Sequence, residues 1–289
     1  MVLRERRLAG LDYLAAVTRL LQNARLVSPA GGVWEAADLQ WWWRRDQHPD
    51  PGRGSVWFDR DEPVAAVVVT DRGDRFGCDL IAARHDLPAV VDVVWNRAAE
   101  QIDLLGDAIV EMTIPDDETM LIDLVAAAGF RATEEVGVEC WMNGADRPAP
   151  SPAIEGFTLL ARSEVADRPH HMILRNGEQV AERLDECSLY RPDLDLVVYD
   201  TNQEVAAYGL AWVDTVTRIG LIEPMRTEDR YQRRGLGRWV LTAALGRLAA
   251  HGCSRFKVTY LTDNEASRHL YLGAGFVPGA VSRTYRRGG

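Results

Sequence analysis

Residues 218–238 read RIGLIEPMRTEDRYQRRGLGR. The run divides into an apolar strand, a short polar turn and the opening of a helix. Within the turn stand Gln232, Arg233, Arg234, Gly235, Leu236 and Gly237. Two glycines two apart let the backbone approach a ligand with no Cβ in the way. A helix over Arg238–Ala250 presents free N–H groups and a positive dipole end at the same spot, which suits a pyrophosphate. Arg233, Arg234 and Arg238 add positive charge beside it. A Walker loop would need Lys-Ser or Lys-Thr after the second glycine, and Arg238-Trp239 stand there. A dinucleotide fingerprint would need a third glycine where Val240 stands.

What remains is Gln-x-x-Gly-x-Gly after a strand, which resembles the acyl-CoA pyrophosphate loop of the GNAT N-acetyltransferases. Asn264, Ala266, Ser267, Tyr271, Gly275 and Phe276 follow in the order Asn-x-x-Ala-x-x-x-Tyr-x-x-x-Gly-Phe, with Ser267 near the usual small residue. This is similar to the second GNAT signature, in the same order along the chain.

The 289 residues suffice for one large domain or two ordinary ones. With 47% apolar residues, a substantial core can be buried. The net charge of −10 argues against nucleic acid as a partner, because phosphate binding wants a basic face. Cys78, Cys140, Cys187 and Cys253 are scattered without a Cys-x-x-Cys, the pattern of buried reduced thiols in a cytoplasmic protein. The basic N-terminus is interrupted by Asp12 and Arg19 and does not read as a signal peptide. No run of 18 apolar residues occurs, so no membrane span or membrane partner is expected.

Leu11, Leu14, Ala15, Val17 and Leu21 recur at helical spacing and predict a helix from Gly10 to Arg25. Ala36–Arg45 holds Trp41, Trp42 and Trp43. Three consecutive residues of a helix fan over about 200°, so one of them is expected at an interface or a cleft wall. Val56–Asp59 and Val64–Thr70 read as a hairpin with Asp61, Glu62 and Pro63 in its turn.

A domain-sized repeat then emerges. At an offset of 146, Gly106 falls on Gly252, Leu124 on Leu270, and Gly129-Phe130 on Gly275-Phe276. At an offset of 141, Phe58-Asp59 falls on Tyr199-Asp200 and Val64-Ala65-Ala66 on Val205-Ala206-Ala207. The copies differ where it matters. Gln232–Gly237 falls on Asp86–Val91, Tyr271 on Val125, Asn264 on Glu118 and Glu223 on Gly77. The stretch at 143–154, rich in Pro and Ala, is the expected linker. Further strands are expected at 155–161, 194–200, 205–213, 218–226, 255–261 and 281–286, with a helix over Ala266–Ala274.

The expectation is an α/β (α+β) chain of two tandem GNAT-like domains, each a mixed, mostly antiparallel sheet flanked by helices. Residues 1–146 form a degenerate copy without a CoA motif, and 153–289 the active one. The degenerate first half resembles the mycothiol-synthase type. That resemblance implies acetyl-CoA-dependent N-acetylation of a small-molecule amine by direct transfer. The alternative is a non-catalytic acyl-CoA-binding module. By resemblance, Met225, Arg226 and Thr227 pair with pantetheine, with the Met225 N–H facing the thioester oxygen. Gln232, Arg233, Arg234, Gly235, Leu236, Gly237 and Arg238 hold the pyrophosphate, Asn264 contacts the pantetheine arm, and Tyr271 is the general acid for the CoA thiolate. Glu223 shares a strand face with Met225 and is a base candidate acting through a water, with Asp193 and Asp214 also open. The first half serves as scaffold or as a wall of the acceptor pocket. A monomer or homodimer is expected. His170-His171 suggests no metal, because adjacent helical residues diverge and no carboxylate pattern completes a set.

Overall fold

The computed structural model describes residues 3–29, 31–44, 54–83 and 86–288. The chain divides into two compact units, 1–137 with 280–289, and 138–279.

The first unit begins with β1 (Leu3–Arg7), α1 (Gly10–Val27) and α2 (Ala36–Trp43). It continues through β2 (Gly54–Asp59), β3 (Glu62–Asp71), β4 (Phe76–Ala82), α3 (Leu87–Leu104), β5 (Val110–Pro115) and α4 (Thr119–Ala127). Leu14, Val17, Leu20 and Leu21 bury one stripe of α1, as its periodicity requires. On α2, Trp41 and Trp43 are buried, and Trp42 meets the ring of Trp34 edge-on at 4.7 Å. Arg45, at the end of the expected helix, lies outside the described residues. The β2–β3 turn is tighter than expected, because β3 already starts at Glu62 and Arg60 takes a left-handed φ of 58°.

β6 (Arg131–Asn143) begins in the first unit and ends in the second. The second unit goes on with β7 (Phe157–Ala161), the short helices α5 (Ile173–Asn176) and α6 (Val180–Asp185), β8 (Asp195–Asp200), β9 (Val205–Asp214) and β10 (Ile219–Thr227). Then follow α7 (Leu236–Ala250), β11 (Arg255–Leu261), α8 (Glu265–Ala274) and β12 (Val277–Arg287). The strand order is β1-β2-β3-β4-β5-β12 in the first unit and β6-β11-β10-β9-β8-β7 in the second. Pairing is mostly antiparallel, and β4–β5 and β10–β11 are parallel.

The last ten residues group with the first unit rather than with the second half of the sequence. Hydrogen bonding gives the reason. Ser282–Arg287 of β12 run antiparallel to Val110–Pro115 of β5, Tyr285 joins the core with Val110 and Met112, and Arg286 reaches buried Glu111 at 2.6 Å.

In the second unit β9 is buried from Ala206 to Asp214, the mark of a strand covered on both faces. α7 lies so close to β9 that a Cβ on Gly209 would meet Val240 Cγ1 at 2.7 Å. Gly209 therefore fixes how near the helix comes, and with it where the helix begins. Among the described residues, no helix is long and apolar enough to cross a membrane. All four cysteines are buried and free.

Candidate active site

β10 and β11 pair only from Ile219–Leu221 to Arg255–Lys257, and beyond that register the two strands part. The other edge of β10 stays on β9, with Met225, Arg226 and Thr227 opposite Gly209, Tyr208 and Ala207. Between Ile222 and Met225 the register slips, so β10 holds one residue more than β9. Glu223, half-buried, lies in that bulge, joined to Pro224 by a cis peptide bond, and its carbonyl accepts the indole N–H of Trp212 at 2.7 Å. β10 thus bends away from β11 where the fork opens.

At the mouth of the fork the chain turns into α7. Gly235 is the residue before the helix and has a φ of 84°, a left-handed conformation that a side chain would strain. Arg233 also has a positive φ, 62°. The helix starts at Leu236, two residues before the expected Arg238, so the N–H groups of Leu236, Gly237 and Arg238 are its unbonded first turn. Gly237 faces Thr227 and Leu270, where an added Cβ would make ordinary contacts at 3.4 and 3.5 Å.

The side chains around the loop have protein partners. Gln232 Nε2 donates to Asp229 at 3.2 Å, Arg238 donates to the Gly273 carbonyl at 3.0 Å, and the Arg234 guanidinium lies over the Tyr231 ring at 5.7 Å. Arg226 pairs with Glu228 and Asp229 at 3.3 and 3.2 Å. Asn264 is the N-cap of α8, its Oδ1 accepting from the Ser267 N–H at 3.1 Å.

Tyr271 is buried on α8, its ring edge-on to Phe276. Burial pushes its phenol well above the usual tyrosine range, and the nearby charges of Glu223 and Cys140 add to the shift. The structure therefore brings Tyr271 and Glu223 within electrostatic reach of each other. The other two carboxylates serve elsewhere. Asp193 binds His251 at 2.6 Å; burial alone would raise its carboxyl, but His251 outweighs that and holds it low. Asp214 accepts the N–H groups of Val216 and Thr217 in the β9–β10 turn.

One cluster corrects the sequence reading. His170 and His171 lie in the loop before α5 rather than in a helix, and Asp195 of β8 meets both. His170 Nε2 is 3.0 Å from Asp195 Oδ2, which also accepts the Tyr190 hydroxyl at 2.9 Å. His171 Nε2 is 3.1 Å from Oδ1. The two rings stack at 4.6 Å. A carboxylate thus completes a set where the sequence showed none, and its three ligand atoms lie within 4.8 Å of one another. The hydrogen bonds still argue for a polar network over a cation site. His170 Nδ1 accepts the Met172 N–H at 3.2 Å, which puts the ring proton on Nε2, the atom a cation would need. Burial would raise Asp195, but His171 and His170 outweigh it and hold the carboxyl well below the usual range.

Residues 160–276 match the Acetyltransferase (GNAT) family, so this segment is a GNAT acetyltransferase domain. A stretch of 112 residues, 38% of the chain, is 31% identical to the mycothiol acetyltransferase of Gordonia bronchialis and covers 36% of that protein. Across 99% of the chain the fold is similar to a tandem GNAT protein from the clavulanic acid biosynthesis pathway (13% identity, 98% of that chain, TM-score 0.68). It is also similar to a GCN5-related N-acetyltransferase from Sphaerobacter thermophilus (16% identity, 95% of that chain, TM-score 0.62).

Proposed function

We propose that the second unit transfers an acetyl group from acetyl-CoA to the amine of a small molecule, directly and without a covalent enzyme intermediate. The observation that carries this reading is the fork between β10 and β11, with the first turn of α7 at its mouth and the buried Tyr271 phenol near Glu223.

In this reading the backbone of Met225–Thr227 binds the pantetheine arm, and the Met225 N–H polarises the thioester carbonyl, the kind of fixed donor that stabilises a developing oxyanion. The loop from Gln232 to Arg238 holds the pyrophosphate through its N–H groups and arginines. Binding would require Arg238 to keep or exchange its bond to Gly273, and Asn264 to contact pantetheine while capping α8. Glu223 takes the ammonium proton through a water, leaving the neutral amine to attack. Tyr271 protonates the departing thiolate as the general acid. The first unit lacks each of these groups and acts as scaffold or pocket wall. The protein works in the cytoplasm, as a monomer or homodimer, without a metal.

The test is to incubate the protein with acetyl-CoA and a panel of primary amines, following free thiol and N-acetyl product together. Tight acetyl-CoA binding with no product from any amine would favour a binding module instead.

A further inference from the structure

The second unit carries a pocket of about 770 Å³ outside the catalytic scheme above. Tyr208 and Arg226, opposite each other in the β9–β10 register, line one side of it. Their neighbours Gly209 and Met225 face α7, so Tyr208 and Arg226 face the other way. The pocket thus opens on the side of β10 opposite α7, next to the segment proposed to bind the thioester arm. Its other side is α5, through Leu174 and Arg175.

α5 is not held there by its own packing. The helix has four residues, none of them buried, and Leu174 is 98% exposed. A single turn of helix has little stability of its own in water. Met172, just before it, is buried and anchors the N-terminal end. Towards the other end stands Arg175, whose Nη2 donates to Glu228 Oε2 at 3.0 Å. Among the described residues, the Arg175 side chain has no other hydrogen-bond partner.

Glu228 is placed to hold it. Its N–H donates to the Ala206 carbonyl at 2.9 Å, which carries the β9–β10 ladder one step past Thr227 and fixes the backbone. Its carboxylate takes Arg175 with one oxygen and the Arg226 Nε with the other, at 3.3 Å. Burial alone would raise the Glu228 carboxyl, but Arg175 and Arg226 outweigh it and hold it below the usual range. The two arginines do not depend on it equally. Arg226 also reaches Asp229 at 3.2 Å, whereas Arg175 has no second carboxylate in salt-bridge range among the described residues. Loss of Glu228 therefore falls on α5 rather than on β10.

We propose that Glu228 is a positioning residue that, through Arg175, holds α5 against the end of β10 and so sets the shape in which the pocket receives the acceptor amine. The word acceptor rests on the acetyl-transfer reading; the tether of α5 does not.

Glu228→Gln removes the charge and keeps the size. An ion pair of this exposure carries up to about a fivefold effect. Hydrogen exchange of the Gly177 N–H, which bonds the Ile173 carbonyl at the end of α5, is expected to quicken by about two- to fivefold. With acetyl-CoA saturating, KM for an acetylated amine is expected to rise by the same factor, while kcat and the KM for acetyl-CoA hold within about 1.5-fold. Arg175→Ala is expected to reproduce both changes, and the double variant to add nothing to either single one. Arg175→Lys is expected to restore most of the effect, because one donor atom makes the contact. Unchanged exchange at Gly177, an acceptor KM that stays put, or additive single variants would overturn the proposal. So would quicker exchange throughout the second unit with both KM values raised, the mark of a merely structural role. Failure of the acetyl-transfer reading looks different: no amine turns over, and exchange at Gly177 still decides whether Glu228 holds α5.

Discussion

At the base of the fork between β4 and β5, the first unit buries Glu111; 146 residues on, at the base of the fork between β10 and β11, the second unit buries Lys257. Each has brought its own counter-charge. Glu111 is met by Arg75 at 2.8 Å and Arg286 at 2.6 Å, and Lys257 by buried Glu139 at 3.4 Å. Two strands above the same base differ as well. Asp79 on β4 is opposite Val68, as Met225 on β10 is opposite Gly209, but Asp79 is a buried carboxylate. The first fork thus carries a buried acid at the position that Met225 holds in the second. It also lacks the extra residue, since β3 and β4 pair from Ala65–Ala82 to Asp71–Phe76 without a slip. The scaffold tolerates this divergence because sheet and helix burial do not depend on what lines the opening.

The comparison breaks most sharply at Tyr271, which has Val125 at the equivalent place in the first unit. Tyr271→Phe removes one oxygen and keeps the ring packing. A positioned general acid contributes about 10²–10⁴-fold to rate, so kcat should fall by that factor while the acetyl-CoA Kd moves only a few-fold. Turnover at the wild-type rate would remove Tyr271 from the mechanism.

The buried pair at the second fork comes next. Glu139→Ala removes the buried carboxylate 3.4 Å from Lys257, and breaking a buried pair by removing one partner costs up to about 3–5 kcal/mol. Urea unfolding should register that loss in the second unit. A change below 1 kcal/mol (roughly the value of an exposed pair) would mean that Lys257 is neutral or finds another partner.

Asp79 sharpens the comparison from the other side. Burial raises its carboxyl to about 6. An acid whose folded pKa lies above its unfolded value, near 4, binds a proton more tightly when folded. Its contribution is then present below about pH 4 and lost as pH rises through about 6. Asp79→Asn should therefore stabilise the first unit at pH 7 by about 2–3 kcal/mol and flatten stability between pH 4 and 6. An unchanged pH profile would show that Asp79 titrates normally.

The smallest effect belongs to Asn264. Its loss as an N-cap in Asn264→Ala should cost about 1 kcal/mol of stability. A contact to the pantetheine arm would add a rise in KM for acetyl-CoA; stability loss with KM unmoved would leave Asn264 a cap alone.

Much of the second unit was legible because its signals are local. The strand before Gln232, the two glycines and the spacing from Asn264 to Phe276 all lie within short windows. The bulge at Glu223 was hidden because a constant offset counts residues and not register. The partner of β12 was hidden for a similar reason: residues 281–286 read as a strand, but nothing local says that β5, some 170 residues earlier, receives it. The pair His170-His171 drew notice, whereas Asp195, 25 residues downstream on a strand, became its partner only through β8.

The central claim is that one fork of the two takes acetyl-CoA, and calorimetry tests it directly. Titration of the full chain should give one site per chain. Gly237→Glu should abolish binding, because it sets a carboxylate in the first turn of α7, the proposed pyrophosphate site. A stoichiometry near two, or undiminished binding by Gly237→Glu, would contradict the account.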